Sequence, residues 1–303
     1  MRVDPYYATN LTGSLDQAQV SQEQLTNELS SGVRINSLSD DPVAAGQNVV
    51  LLNQIQQDDS FTESSNLVTG QLQVADSALG SVVTELTSAI TLATSANNGT
   101  MNSSNVKSIG NQISGITDEI MTLANSSYQG QYIFAGGQTS TVPFTTTNTV
   151  PAVTTYNGDS NVDYIETPAG QKIQLNVPGS DIFLGSGTNS VFGALNALVA
   201  DYSSGTVDTT QAVADTTALN TALNYVSQQR VTIDDSINQL SAASDAMTSN
   251  KTQLTTAQSN LMQADVASVS TNLSLSETQQ TALEDVIAQL NSTSNSLFSK
   301  IQA

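Results

Sequence analysis

The chain has 303 residues, 7 Lys and Arg against 27 Asp and Glu, a formal net charge of −20, and no Cys, His or Trp. These absences remove disulfides, thiolate and imidazole metal sites and every His-dependent proton relay, leaving only carboxylate or Lys chemistry for an enzyme. So few cations cannot neutralise a phosphate backbone or an anionic lipid surface, which points to other proteins as partners, with no nucleic acid and no membrane insertion expected.

At the N-terminus, Met1-Arg2-Val3-Asp4-Pro5 lacks the apolar stretch of a cleaved secretory signal, and no run of about 18 apolar residues follows that could span a membrane. The first helical stripe is Leu11, Leu15, Ala18, Gln22, Leu25 and Leu29, spaced alternately by four and three. Ser39-Asp40-Asp41-Pro42 then gives an Asp N-cap before Pro at the first helical position, so a second helix is expected to begin there. Its pattern runs from Val43 through Leu52 and Ile55, resumes at Leu67, Val74, Ala78, Val82, Leu86, Ala89 and Ala93, and stops at the turn signal Asn97-Asn98-Gly99. Val106, Ile109, Ile113, Ile116, Ile120 and Leu123 form a third stripe expected to end near Gly130.

Between Tyr128 and Gly205 the chain holds 10 of its 18 Gly, 4 of its 6 Pro and 9 of its 14 aromatics, so this middle is built differently from the ends. Tyr132-Ile133-Phe134, Val153-Thr154-Thr155-Tyr156, Asp163-Tyr164-Ile165 and Lys172-Ile173-Gln174-Leu175 read as short strands. Asn157-Gly158 and Pro168-Ala169-Gly170 read as the turns of a small antiparallel β domain. After it, Leu219, Val226, Ile233, Leu240, Met247, Leu254 and Leu261 stand seven apart without a miss. Held as one helix, that stretch would be about 64 Å long. The companion line, Leu223, Arg230, Ile237, Ser244, Lys251, Gln258 and Asp265, is mixed, which favours packing against several helices of the same chain over a two-stranded zipper. Helical spacing continues at Val266, Val269, Leu273, Leu283, Ile287, Leu290, Leu297 and Ile301.

The expected fold is therefore mainly α: an elongated, coiled-coil-like bundle of long helices from both chain ends, with an inserted small antiparallel β domain. Charged residues are 11% of the chain, where about 25% is usual, and Ser, Thr, Asn and Gln fill the difference. These are mediocre helix formers, so packing must supply the stability. For the two ends, disorder in the free monomer and helix in the assembly are expected.

Several candidate sites have plain structural readings. Asp159, Asn161 and Asp163 share the spacing of a calcium loop, but Tyr164 stands where that loop needs Gly and Gly170 where it needs Glu, so a polar turn is expected. Asp40-Asp41, Asp58-Asp59 and Asp234-Asp235 do not face each other on a helix, and capping or solvated faces account for them. Arg34 is open to an ion pair, an interface or simple exposure, and Arg230 and Lys251 to pairing with an acid of another helix. No catalytic residue, cofactor or metal is expected.

The segment Ser30-Ser31-Gly32-Val33-Arg34-Ile35-Asn36-Ser37-Leu38-Ser39-Asp40-Asp41-Pro42-Val43-Ala44-Ala45-Gly46 resembles the N-terminal signature of bacterial flagellin-like proteins. Leu123-Ala124-Asn125, Gly130-Gln131-Tyr132-Ile133-Phe134-Ala135-Gly136-Gly137 with Thr139, and Pro143-Phe144 narrow the likeness to the hook-filament junction branch of that family. Tyr156-Asn157-Gly158-Asp159, Val177-Pro178-Gly179, Ile182-Phe183 and Glu277-Thr278-Gln279-Gln280-Thr281-Ala282-Leu283 carry it further. The ending Phe298-Ser299-Lys300-Ile301-Gln302-Ala303 departs from it, being shorter and more polar.

The resemblance implies a non-catalytic structural subunit of the flagellum, exported by the type III pathway and placed where hook meets filament. It implies other axial proteins as partners (the first hook-filament junction protein and flagellin), self-association in a ring or helical layer, and an export chaperone. It divides the chain into terminal helices at 1–40 and 270–303 that form the axial assembly core, a helical rod at 41–135 and 206–269, and a β-rich outer domain at 136–205. Accordingly Leu11, Leu15, Ala18, Leu25, Leu29, Leu283, Ile287, Leu290, Leu297 and Ile301 are expected at subunit interfaces. Val106, Ile113, Ile116, Ile120, Leu219, Val226, Ile233, Leu240, Met247, Leu254 and Leu261 are expected in the intrachain core. A filament flagellin, and more remotely a soluble coiled-coil signalling module, are the alternatives.

Overall fold

The computed structural model describes residues 5–97, 101–147, 152–185 and 190–301, the side chains of 5–8 and 293–301 excepted. Six helices dominate: α1 (Pro5–Ser31), α2 (Pro42–Ala96), α3 (Ser103–Ala124), α4 (Val191–Ser203), α5 (Thr209–Met262) and α6 (Val266–Ile301). Three short antiparallel pairs lie between α3 and α4: β1 (Ser127–Tyr128) with β2 (Gln131–Tyr132), β3 (Phe144–Thr146) with β4 (Thr154–Tyr156), and β5 (Tyr164–Glu166) with β6 (Lys172–Gln174). The chain divides into two compact units, one of residues Met1–Gln56 with Lys251–Ala303 and one of Gln57–Asn250.

Local chemistry sets the helix ends. Ser, Asn and Asp oxygens accept the otherwise unpaired N–H groups of first turns. Asp41 Oδ1 takes Ala44 N–H at 3.0 Å at the start of α2, Asn102 takes Asn105 N–H at 2.9 Å for α3, and Ser190 takes Gly193 N–H at 3.0 Å for α4. Asp208 does the same for Thr210 and Gln211 of α5, and Asp265 for Ala267 and Ser268 of α6. At the far end of α1, Gly32 adopts φ +69° and returns its N–H to Glu28 O, the left-handed stop that Gly alone makes without steric cost.

The unit Gln57–Asn250 is built on one apolar core. Leu72, Leu79, Val82 and Leu86 of α2, Ile113 and Ile120 of α3, Leu195 and Leu198 of α4, and Leu219, Val226, Ile233 and Leu240 of α5 are all buried within it. The mixed companion line of α5 finds its explanation here, because Arg230 donates through Nε and a terminal nitrogen to Asp76 of α2 at 2.7 and 3.0 Å. Phe134, Phe144, Phe183 and Phe192, with Tyr156, close the core beside the hairpins, ring centroids 5.1 to 5.7 Å apart in edge-on and tilted pairs.

Four expectations are corrected. α3 ends at Ala124 and not near Gly130, because Asn125 leaves the helix to bond the Phe144 backbone through both side-chain atoms and the chain turns back at Gln129-Gly130 with positive φ. Tyr132-Ile133-Phe134 is not one strand: β2 ends at Tyr132, and the Phe134 carbonyl beyond it accepts from Gly179 N–H and from the Tyr156 hydroxyl, both at 2.9 Å, in place of a strand partner. Asn157-Gly158 is not a hairpin turn but follows the β3–β4 pair, with Asn157 N–H on Pro143 O and no room for a Cβ at Gly158 between the Tyr156 ring and Ala135 O. Asp58 lies on no solvated face; it is 4% exposed and accepts from Asn250 Nδ2 at 2.7 Å. Pro168-Ala169-Gly170 does turn between β5 and β6, while residues 98–99 of the Asn97-Asn98-Gly99 signal fall outside the described residues.

Candidate assembly interface

Two of the stretches that carry the resemblance, residues 30–46 and 277–283, lie in the unit formed by Met1–Gln56 and Lys251–Ala303, where two chain reversals meet, and the motifs between Leu123 and Phe183 lie in Gln57–Asn250. The connection from α1 to α2 runs beside the break between α5 and α6. Val33 bridges Gln263, Arg34 N–H donates to Met262 O at 2.7 Å, and Ala264 N–H donates to Gly32 O at 3.0 Å. Ile35 and Ala264 are buried there, 5% and 3% exposed. The signature is thus a backbone clasp, with Gly32 making the reversal and Ile35 anchoring it.

Its acids are structural. Asp40 accepts from Asn36 N–H, Ser37 N–H and Ser37 Oγ, and the Ser37 hydroxyl above all holds its carboxyl below the usual carboxylate range. Asp41 is lowered too, by the Ala44 N–H first and by Arg34 after it. Arg34 pairs with Asp41 at 3.3 Å and reaches Leu261 O at 3.5 Å, so the ion pair is present and lies at the surface. Asp265, read from sequence as a seam position, is instead the cap of α6.

α1 and α6 pack on each other. Leu11 is buried, Leu15, Ala18 and Leu25 are half-buried and Leu29 is 37% exposed; Leu283, Ile287 and Leu290 are half-buried. The side chains of Leu297 and Ile301 lie outside the described residues. Ala18, Leu25 and Leu283 line an open groove of 830 Å³ between the two helices, together with Ser14, Ser21 and Ser276, and Ser276 Oγ donates to Ala18 O at 3.4 Å. Of the residues expected in the core, Val106, Ile113, Ile120, Leu219, Val226, Ile233 and Leu240 are buried, while Ile116, Met247, Leu254 and Leu261 are half-buried.

Sequence reasoning missed another feature of this unit. Val20, Leu38, Val43, Val49, Val50, Val266 and Leu275 are all more than half exposed. Their apolar identity was visible, but which of them no neighbour in the chain covers was not. Elsewhere, Asp159 Oδ1 accepts from Gly137 N–H at 2.7 Å and Asn161 N–H at 3.0 Å, and Asn161 Nδ2 donates to Asp163 at 2.8 Å, so the calcium-like spacing serves a turn. No cluster of three potential metal ligands occurs among the described residues.

The profile of the bacterial flagellin N-terminal helical region matches residues 5–139, and that of the C-terminal helical region matches residues 216–300. Flagellar hook-associated protein 3 of Salmonella typhimurium is 30% identical over 186 residues, 61% of this chain and 57% of that protein. Its namesake in Escherichia coli is 33% identical over 139 residues, 46% of this chain and 44% of that protein. The chain thus spans about half the length of the curated relatives it matches. A solved structure from Vibrio parahaemolyticus, of a protein described as flagellar hook-associated, superposes with a TM-score of 0.66 at 20% identity, covering 74% of this chain and 100% of the other. With both flagellin profiles seated on the paired helices of its two ends, and together matching well over half of its length, the chain belongs to the bacterial flagellin-like family.

Proposed function

We propose that this protein is a structural subunit of the bacterial flagellum that joins hook to filament, exported through the flagellar type III channel and performing no catalysis. The observation that carries the reading is the coincidence of two curated relatives, both named flagellar hook-associated protein 3, with a terminal unit that leaves Val20, Leu38, Val49, Val50 and Leu275 uncovered. Apolar side chains left open on a helical surface are a cost in the monomer and a driving force in an assembly.

In this reading Leu11, Leu15, Ala18, Leu25, Leu29, Leu283, Ile287, Leu290, Leu297 and Ile301 serve subunit contacts in the axial core, helices 41–135 and 206–269 stiffen the subunit, and 136–205 faces outward. The partners are copies of this chain in a ring or helical layer, the first junction protein on one side and flagellin on the other, with a chaperone before export.

Deleting the chromosomal copy tests the reading. Hooks should be assembled, filaments absent, and unpolymerised flagellin released to the medium, with restoration by the intact chain. Normal filaments in the deletion strain, or thousands of copies along each filament, would replace the junction by the filament itself.

A further inference from the structure

α4 and α5 are joined by residues 204–208, and both helices bring a carboxylate to the same place. Asp201 precedes the buried Tyr202 near the end of α4, and Asp215, 8% exposed, lies early in α5. Oδ2 of each has essentially no accessible surface, and no donor among the described residues reaches either atom. Both residues line one cavity of 470 Å³ with Thr154, Asn196 and Gln211. The other oxygen of Asp215, Oδ1, is satisfied by Gln211 Nε2 at 3.1 Å.

Two carboxylate oxygens buried without donors are expensive singly, and more so side by side, since their charges repel in a poorly solvated place. One proton removes both costs, because a carboxylic acid donates to the carboxylate beside it. We propose that Asp201 and Asp215 share a single proton across the α4–α5 contact, a hydrogen bond that fastens α4 to α5 while the proton is held and loosens it when the proton leaves.

Among the described residues, the surroundings supply no substitute charge. Asn196 of α4, Gln211 of α5 and Thr154 of β4 are neutral. Tyr202 of α4 directs its hydroxyl away, to Ala93 O at 3.3 Å and Asn97 Oδ1 at 3.1 Å of the α2 end, and burial pushes its phenol up to about 12. Asp208 of the connection adds negative charge, its Oδ1 already committed to the Thr210 and Gln211 N–H groups. Lys107 of α3 passes beside Gly205 in the connection and is not among the groups acting on Asp201. Burial first, then the hydrogen bond to Asp215 and the charges of Asp215 and Asp208, push the Asp201 carboxyl up to about 6 from 3.8.

The sign of the pH effect follows. The folded chain holds this proton roughly a hundredfold more tightly than the unfolded one. Between about 4 and about 6 the native state therefore binds more protons, so its stability falls as pH rises through that window and the full repulsion is present above it. Opening of α4 is thus favoured near and above neutrality. This holds whether or not the chain sits at a junction.

The test is a carbon-detected NMR titration of Asp carboxyls in the full chain, assigned with Asp201→Asn and Asp215→Asn. One carboxyl should titrate near 6 in the wild type, and the step should vanish in either variant. Amide exchange of residues 195–203, corrected for its intrinsic pH dependence, should rise roughly tenfold between about pH 5 and 7.5 in the wild type and stay flat in Asp215→Asn. Should a variant fail to fold, the wild-type titration decides alone: every Asp titrating below 5, with no step between 5 and 7, overturns the shared proton.

Discussion

The two units of the chain spend their apolar residues differently. In Gln57–Asn250 they converge on a single core, with Leu79, Val82, Leu86, Ile113, Ile120, Leu195, Leu198 and Leu219 fully covered. In Met1–Gln56 with Lys251–Ala303, the buried apolar side chains among the described residues are Leu11, Ile35, Ala44, Ala264 and Val269, and no fully buried large side chain belongs to it. Hydrophobic stabilisation scales with area removed from water, so Gln57–Asn250 has the larger internal source of stability, and in the proposed junction reading the other unit offers its exposed apolar side chains to neighbouring subunits. The same kinds of residue at the same helical spacing are thus covered in one unit and left partly open in the other, and only packing tells them apart.

The sharpest way to break that contrast is to cut into each unit equally. Ile113→Ala removes a side chain at 0% exposure and should cost about 2–5 kcal/mol in urea denaturation of the monomer. Leu290→Ala, half-buried on α6, should cost under about 1 kcal/mol yet abolish complementation of the deletion strain. Equal losses in the two units would remove the distinction. Hydrogen exchange reads it without mutation: amides around Ile113 and Leu219 should be strongly protected in the monomer, those of residues 5–30 and 275–300 weakly, with protection of the ends appearing on assembly. Strong protection of the ends in the monomer would show a unit that needs no partner.

Much of this was legible before any coordinates. The unbroken heptad from Leu219 to Leu261 lies within α5, and Asp41-Pro42 marks the first residue of α2. What escaped did so for physical reasons. α4 was hidden because Gly and Pro give its neighbourhood a β-like composition, although Val191, Ala194, Leu195, Leu198 and Tyr202 already follow helical spacing and are all buried. The α5–α6 break escaped because Ala264 and Asp265 fit a continuing pattern; it is held by hydrogen bonds to the Gly32 carbonyl and from the Arg34 N–H, some 230 residues away in sequence, which no local window contains. Asp58 was read as solvated because a lone acid carries no mark of the Asn250 amide that receives it.

That buried acid gives a smaller test inside the well-packed unit. Asn250→Ala withdraws the donor from a carboxylate that is 4% exposed and should cost about 1–3 kcal/mol, since the charge stays buried without its partner. Asp58→Asn in the same background should recover part of the loss by removing the charge. Ser190→Ala, which deletes only the cap of α4, should cost about 1 kcal/mol. Caps on a packed helix act locally, so this change should leave the exchange of α5 beyond Leu219 untouched.

The smallest effect on the monomer is expected at Arg34. Its pair with Asp41 is open to solvent, with the two side chains 47% and 32% exposed, and solvent and salt screen such pairs. The clasp beneath it is made by backbone groups, Arg34 N–H to Met262 O and Ala264 N–H to Gly32 O, and these survive truncation of the side chain. Arg34→Ala should therefore leave the urea midpoint of the monomer unchanged, at low and at high salt alike. Arg34→Pro removes the N–H that reaches Met262 and should lower the protection of residues 262–266. If Arg34→Ala destabilises the monomer as much as Arg34→Pro does, the side chain and not the backbone closes the clasp. If Arg34→Ala leaves the monomer intact but fails in complementation, the guanidinium belongs to the face that meets the next subunit.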